Sequence, residues 1–412
     1  MQKMTSPALE ATLLEACSSG YAACRAITEL VPVGGEFDRI LPPTYAGGRY
    51  AVEKRRWNGE EVDTVLLDSV QSQANRLEAL LLEAAERREI SLPLIRVRFD
   101  NGKSVTTLDA PHRIADAIFR DSELNGVPFR ESEVGRAVFS ARPDNAVEIL
   151  RYAPNAALFG MWDSTDLLKR PGAKFARVLS SEIVGAGVLT GERTASRLDP
   201  LGIRKSQRTM YLTPDGRWTF DPEKAAKKRD KQGAFAPVMV GKEGKPSEAN
   251  HGNILPDITH KEKDEIKIHG GVTIRLAVQT TVLSFAQLRQ LRFPSNGNAD
   301  PLRDRAGRAV LAALGIYAVS LQWRDGYQLR SRCQLVPKAP SAWQFIKNTA
   351  PSDAASDCFE ITVDDARNAL NTCVEEAGKH GLGWRDAELT LTPSAEFAQL
   401  VRENDVYNAE EA

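Results

Sequence analysis

The stretch from Val62 to Glu78, VDTVLLDSVQSQANRLE, sets the tightest limit on what this chain can fold into. A short apolar run, Val65 to Leu67, meets Asp68 and Ser69, two residue types that favour helix N-caps, and a helical pattern follows at once. The reading is strand, tight turn, helix. At about 100° per residue, Val70, Ala74, Leu77 and Leu81 share one face. Asp68, Ser72, Asn75 and Arg76 share the opposite one, and Gln71 and Gln73 flank the buried side. A merely solvated face is usually filled with Glu and Lys. A Ser/Gln/Asn/Arg set beside a helix N-terminus therefore suits a ligand rich in phosphate or sugar oxygens. A capped, solvent-facing helix also explains these residues, and the helix by itself leaves both readings open.

A chain of 412 residues can hold two ordinary domains, or one domain with a long insertion. Its formal net charge is -1, so any nucleic-acid role must come from locally clustered basic groups and not from the global field. No apolar run approaches the roughly 18 to 20 residues that span a bilayer. The start, MQKMTSPALEATLLEACSSG, carries acidic residues where a secretory signal is basic and then apolar. The expectation is a cytoplasmic protein with no membrane partner. Five cysteines (Cys17, Cys24, Cys333, Cys358, Cys373) are scattered and form no CxxC pair, which predicts reduced, buried thiols and neither a disulfide framework nor a zinc site.

Along the chain, residues 5–20 read as helix and Ala22 to Val33 as a first strand ending at Gly34-Gly35. Leu92 to Phe99 (LPLIRVRF) alternates apolar and basic residues, a half-exposed strand with Arg96 and Arg98 on one side. A helix is predicted for His112 to Arg120, and more helix from Glu131. Ala156 to Ser164 and Lys174 to Val188 read as buried strands or their continuations. From Arg193 to Lys231 eleven basic residues face five acidic ones, and the basic, core-poor character continues to about Lys267. Residues 191–267 are accordingly predicted as a basic, partly flexible insertion, with 1–190 and 268–412 forming the body. Order returns with a strand to Leu283, then a helix through FAQLRQLRF that sets Arg289 and Arg292 on one face. Arg303 to Val319 and Val363 to Lys379 are helices, and Tyr327 to Val336 alternates as a strand.

The familiar nucleotide signatures fail. Gly102-Lys103-Ser104 sits in a hairpin turn, with Val97 where a phosphate loop needs glycine. Gly185, Gly187 and Gly191 lead into Pro200 and not into an apolar helix. The five histidines lack metal spacing, so neither a metal nor a cofactor is expected. Asp68, Asp116, Asp163 and Glu182 could serve chemistry, but caps, turns and salt bridges account for each. The insertion interleaves its charges, Arg197, Arg204 and Lys205 among them, with Tyr211, Trp218 and Phe235, residue types that stack on bases; its bland reading is a solvated loop. Together with the polar helix face and the Arg96/Arg98 and Arg289/Arg292 pairs, these segments point to a polyphosphate, and single-stranded nucleic acid suits them better than a small ligand.

The order LPPTY, LLDSVQSQANRLE, HRIADAIFRDS, ALFGMWDS, KFARVLSSEIVG, SRLDPLGI and LRQLRFP, from about Leu41 to Val319, resembles the backbone subunit of the type I-G (formerly I-U) CRISPR effector, a branch of the RAMP superfamily. The resemblance implies an α+β fold, an RNA-recognition-motif (ferredoxin-like) core with finger and thumb insertions. It implies a non-catalytic, guide-RNA (crRNA) binding subunit whose copies polymerise head to tail in a Cascade complex and present the guide to the target DNA strand. Its partners would be the other Cascade subunits, a large subunit and a guide-processing subunit, and the recruited helicase-nuclease. Ser69, Gln71, Ser72, Asn75 and Arg76 would contact phosphate and ribose, with Arg96, Arg98, Arg197, Arg204, Lys205, Arg289 and Arg292 as further RNA contacts. No run of aromatics marks a base-stacking strand, so sequence-independent backbone binding is expected. The alternative from another class is a metal-dependent ribonuclease acting on target RNA through Asp68 or Asp163, and a third is an RNA-free scaffold.

Overall fold

Strict alternation in YAACRAITELVP builds the first long strand, β1 (Tyr21–Pro32). It turns Cys24, Ala26, Thr28 and Leu30 inward and leaves Arg25, Ile27 and Glu29 on the other face. It follows helix α1 (Ser6–Ser18), whose Leu9, Leu13, Ala16 and Cys17 are buried. A hairpin of β2 (Val52–Trp57) and β3 (Glu60–Asp68) comes next. It turns through Asn58 and Gly59 at φ 50° and 85°, the left-handed region those two residue types tolerate best. Ser69 then caps α2 (Val70–Glu86), its hydroxyl accepting the Ser72 amide at 3.2 Å. The remaining elements used below are β4 (Ile95–Arg98), α3 (Pro154–Phe159), β5 (Leu179–Ala186), β6 (Leu276–Ser284) and α4 (Pro301–Asp325). They continue with β7 (Tyr327–Arg330), β8 (Cys333–Pro337), β9 (Trp343–Lys347), α5 (Val363–Lys379) and β10 (Leu389–Pro393). The structure is a computed structural model and describes residues 2–164, 172–192, 194–203, 206–229, 234–258, 270–348, 358–384 and 387–411.

The fold is α+β and divides into two units. The first comprises Met1–Thr44, Tyr50–Leu189 and Val272–Ala398; the second comprises Tyr45–Arg49, Thr190–Gly271 and Gln399–Ala412. In the first, the large sheet runs β9-β1-β6-β5-β3-β2, every neighbouring pair antiparallel. Through four of these strands the chain order is β1, α2, β5, β6, α4, β9: two strand-helix-strand crossovers joined through an antiparallel pair. Leu77 and Leu81 of α2, Leu179 and Leu283 of the sheet, and Val310, Leu314 and Tyr317 of α4 share one core. Helix α4 is buried around its whole circumference from Ala306 to Gln322, with α1, α2, α3 and α5 all packed on it. Gly315 allows its close approach, since a Cβ there would stand 2.9 Å from Leu283 Cδ1. A smaller sheet joins Ser104–Thr106, β4, β10, Ser122–Leu124 and Val127–Pro128.

The second unit carries short antiparallel pairs, Tyr211–Leu212 with Trp218–Thr219 and Lys227–Arg229 with Phe235–Pro237. Asp199 accepts the amides of Leu201, Ile203 and Gly252, which ties its loop together. Exposed Phe235 stacks under the Arg229 guanidinium at 5.2 Å.

Four local expectations are corrected. His112 to Arg120 is not one helix: Arg113 takes φ 55°, and Asp116 turns extended to cap a separate turn, Ala117–Arg120. Ala156 to Phe159 lies in helix α3, started by Pro154 at its first position, and its residues are buried all round, so no helical period shows in the sequence. Tyr327 to Val336 is a hairpin and not one strand, turning at Arg332 with φ 55°. The FAQLRQLRF helix stops after one turn, Phe285–Leu288, with Arg289 as its C-cap. Arg289 and Arg292 therefore share no helical face. The cause is that the Phe293 amide donates to Asp304 at 2.6 Å and the Arg292 amide to the Pro143 carbonyl at 2.7 Å, which draws the chain out of the helix.

The five cysteines are unpaired, four buried and Cys358 exposed. Burial pushes the Cys17 thiol up to about 12 and that of Cys333 to about 11. A thiol reagent at pH 8 should therefore label one cysteine of the native protein quickly, at Cys358, and the other four only on unfolding. Peptide mapping of the labelled protein reads this directly.

Candidate functional site

The start of α2 is organised around Asp68. This carboxylate is fully buried, not on the exposed face, because Asp68 is still strand backbone and the 100° step does not apply to it. It accepts from Ser72 Oγ (2.7 Å), Gln73 Nε2 (2.6 Å) and Arg76 Nε (2.8 Å), and Arg330 stands 3.7 Å away. Arg76 also donates to the carbonyls of Gln328 and Leu329, and Arg330 to the carbonyl of Leu67. Two guanidinium groups thus strap β7 to the head of α2 through one buried carboxylate. Of the predicted contacts here, Ser69 is the cap, while Ser72 and Arg76 face inward to Asp68. Gln71 and Asn75 are exposed and point to solvent from the first turns of the helix. Gln73, expected at a flank, is buried: its Oε1 accepts from Ser181 Oγ (3.1 Å) and Gln279 Nε2 (2.9 Å).

The other predicted residues lie elsewhere. Arg96 and Arg98 do share one side of β4, as the alternation implied, but both donate to Glu388, at 2.8 and 2.7 Å. Burial pushes the Glu388 carboxyl up, yet the hydrogen bonds and charges of the two arginines outweigh it and hold the group below the ordinary carboxylate range. Glu388 offsets one of the two positive charges, and the Arg98 side chain stays 59% exposed. Arg289 donates to the Ala16 carbonyl (2.9 Å), and the exposed Arg292 to Asp304 (2.8 Å). Arg197, in the second unit, donates twice to the Gly252 carbonyl. Arg204 and Lys205 lie outside the described residues. Among the described residues, Ser69, Gln71, Ser72, Asn75 and Arg76 gather at the start of α2, and Arg96 and Arg98 meet at Glu388.

The candidate nuclease carboxylates are enclosed. Asp68 is buried as described, and Asp163, also buried, accepts from both Nη atoms of Arg130 at 2.8 and 2.6 Å. Asp116 caps its helical turn, and Glu182 accepts from Arg55 at 2.6 Å.

A feature the sequence reading passed over is the open face of the large sheet, opposite α2 and α4. It holds a groove of about 400 Å³ whose lining includes Ile27, Trp57, Val62, Val184 and Val278. The guanidinium of Arg275 lies 4.9 Å over the Trp57 ring. Its signal was available in VEKRRW, a charged strand ending in tryptophan beside a tight turn.

The first unit is thus an α+β body in which two crossover helices cover one sheet face, while among the described residues of this unit the other face carries the groove. Residues 25–190, which include β1, the β2–β3 hairpin, α2 and β5, match the model of a family described as CRISPR-associated protein GSU0053. The match supports a CRISPR-associated protein. No curated protein matches the chain. Among the described residues no helix is long and apolar enough to cross a membrane.

Proposed function

We propose that the protein is a guide-RNA-binding backbone subunit of a CRISPR effector, of the kind the type I-G resemblance implies. The observation that carries this reading is the match of residues 25–190 to a CRISPR-associated family. The strand order β9-β1-β6-β5, with both crossover helices on one face, supports it, because an RNA-recognition-motif (ferredoxin-like) core needs that order. The subunit binds and does not catalyse. Gln71 and Asn75 offer amide donors to ribose and phosphate oxygens, within reach of the α2 N-terminus. Copies stack head to tail, a heterologous contact that builds an open helix along the guide. The basic segment of the second unit meets the neighbouring copy, and the target DNA strand pairs with the displayed guide. The large subunit, the guide-processing subunit and the recruited helicase-nuclease are the remaining partners.

Titration of labelled single-stranded RNA at two salt concentrations tests the reading, since phosphate contacts require affinity to fall as salt rises. An affinity indifferent to salt would sink it. The double variant Gln71→Ala/Asn75→Ala should lose about ten-fold in RNA affinity, roughly the net worth of one to two hydrogen bonds, with no change in melting temperature. The ribonuclease reading gains nothing from Asp68 and Asp163, each buried against guanidinium groups. Incubating the assembled complex with complementary RNA and Mg²⁺ separates the two, because a nuclease would cut at regular intervals.

A further inference from the structure

Strand β2 ends the large sheet on its side, and among the described residues no strand pairs with its outer edge. The register fixes which groups that edge presents. The Ala51 carbonyl accepts the Leu66 amide at 2.9 Å, so Ala51 and Leu66 form a hydrogen-bonded pair. By the alternation of an antiparallel ladder, Glu53 with Thr64, Arg55 with Val62 and Trp57 with Glu60 are bonded likewise. The amides and carbonyls of Val52, Lys54 and Arg56 therefore point away from β3, and all three residues are exposed.

Charge on this edge alternates from strand to strand. Lys54 stands opposite Asp63 and Arg56 opposite Glu61, with Lys54 Nζ 3.6 Å from Glu61. On the next strand outward, acidic side chains opposite Lys54 and Arg56 are favoured and basic ones repelled. A second copy of β2 paired in parallel register would oppose like charges at Lys54 and Arg56, whereas an acidic strand complements them. On the opposite face of the same strand, Trp57 lines the open groove beside Arg55, with Val62 of β3 next to them.

We propose that β2 is a docking edge for an extended segment of a partner protein in which acidic and apolar residues alternate. The segment adds as a strand: its main chain bonds to Val52, Lys54 and Arg56, its acidic side chains meet Lys54 and Arg56, and its apolar side chains cover Trp57. This assignment is independent of RNA binding at α2.

The test is fluorescence anisotropy of a labelled nine-residue peptide of alternating glutamate and valine, titrated with the full-length protein. Three competitors run beside it: a peptide with the same residues in blocks, an alternating lysine and valine peptide, and unlabelled single-stranded RNA. Saturable binding of the alternating acidic peptide alone is expected. Lys54→Pro removes an outward amide without touching the bonds to β3, and it should weaken binding at least ten-fold. Arg56→Glu, which leaves the main chain intact, should do the same, and circular dichroism verifies that both variants fold. The proposal fails if the acidic peptide does not bind, if the block peptide binds equally well, or if Arg56→Glu leaves affinity unchanged. Displacement of the peptide by RNA would also overturn it, by making the edge a nucleic-acid surface.

Discussion

Arg113→Ala should lower the stability of the protein by about 4 kcal/mol, measured by urea unfolding at pH 7, because it strands a buried carboxylate. Arg113 Nε and Nη2 donate to the two oxygens of Glu78, each at 2.7 Å, and Asn155 Nδ2 adds a bond at 2.8 Å. Arg113 is 7% exposed and Glu78 1%, so water replaces nothing when the guanidinium goes. Burial already pushes the Glu78 carboxyl above its ordinary value, with the Arg113 charge opposing it. Without Arg113 the folded-state value rises further, and the folded protein keeps a proton that the unfolded chain releases. Such a group contributes stability below the unfolded carboxylate value of about 4.3 and loses it as pH rises. The deficit of the variant should therefore be smaller at pH 5 than at pH 8. Replacing both partners, Glu78→Leu with Arg113→Met, should restore most of the stability, since it is the unpaired charge and not the missing pair that is costly. A deficit of the same size at every pH, with no recovery in the double variant, would mean that Arg113 acts through packing alone.

Asp68→Ala is the second large effect, about 3 kcal/mol, at the low end for a broken buried pair. The discount follows from geometry: the side chains of Arg76 and Arg330 are 29% and 26% exposed, so each guanidinium can recover some hydration when the carboxylate is removed. Arg76→Ala should also destabilise, because it uncovers Asp68 from the other side and frees the β7 carbonyls. Thermal melts followed at 222 nm read both. A catalytic Asp68 would behave in the opposite way, with Asp68→Asn losing activity and keeping stability, so the melt decides between a structural and a chemical role.

The sequence was informative where local chemistry decided the outcome. Ser69 as a cap and Val70, Ala74, Leu77 and Leu81 as a stripe gave α2 within a residue of its observed start, because capping and 3.6-residue periodicity are short-range effects. The same arithmetic misplaced Asp68, which belongs to the preceding strand. It could not foresee Arg76 reaching Gln328 and Leu329, more than 250 residues away. The Arg96/Arg98 pair illustrates the limit for binding sites. A sequence shows where positive charge lies, but Glu388, which pairs with both arginines, reaches β4 only through the parallel pairing of β10. Helix α3 was missed for another reason: complete burial erases the amphipathic period on which the reading relies. The open sheet face escaped because its residues come from five strands, each contributing two or three.

Strands β1 and β6 lie side by side, Thr28 opposite Gln279, yet roughly 250 residues of chain separate them and the whole segment Thr190–Gly271 intervenes. On a ribosome, the first strand made must wait for its neighbour until most of the polypeptide has emerged. Through that interval it carries an unsatisfied edge and an uncovered apolar side. Pairings this distant in sequence form slowly and leave strands open to the wrong companions. The order of synthesis thus makes β1 the part of the nascent chain most in need of protection, and a chain halted before β6 should be the form that aggregates.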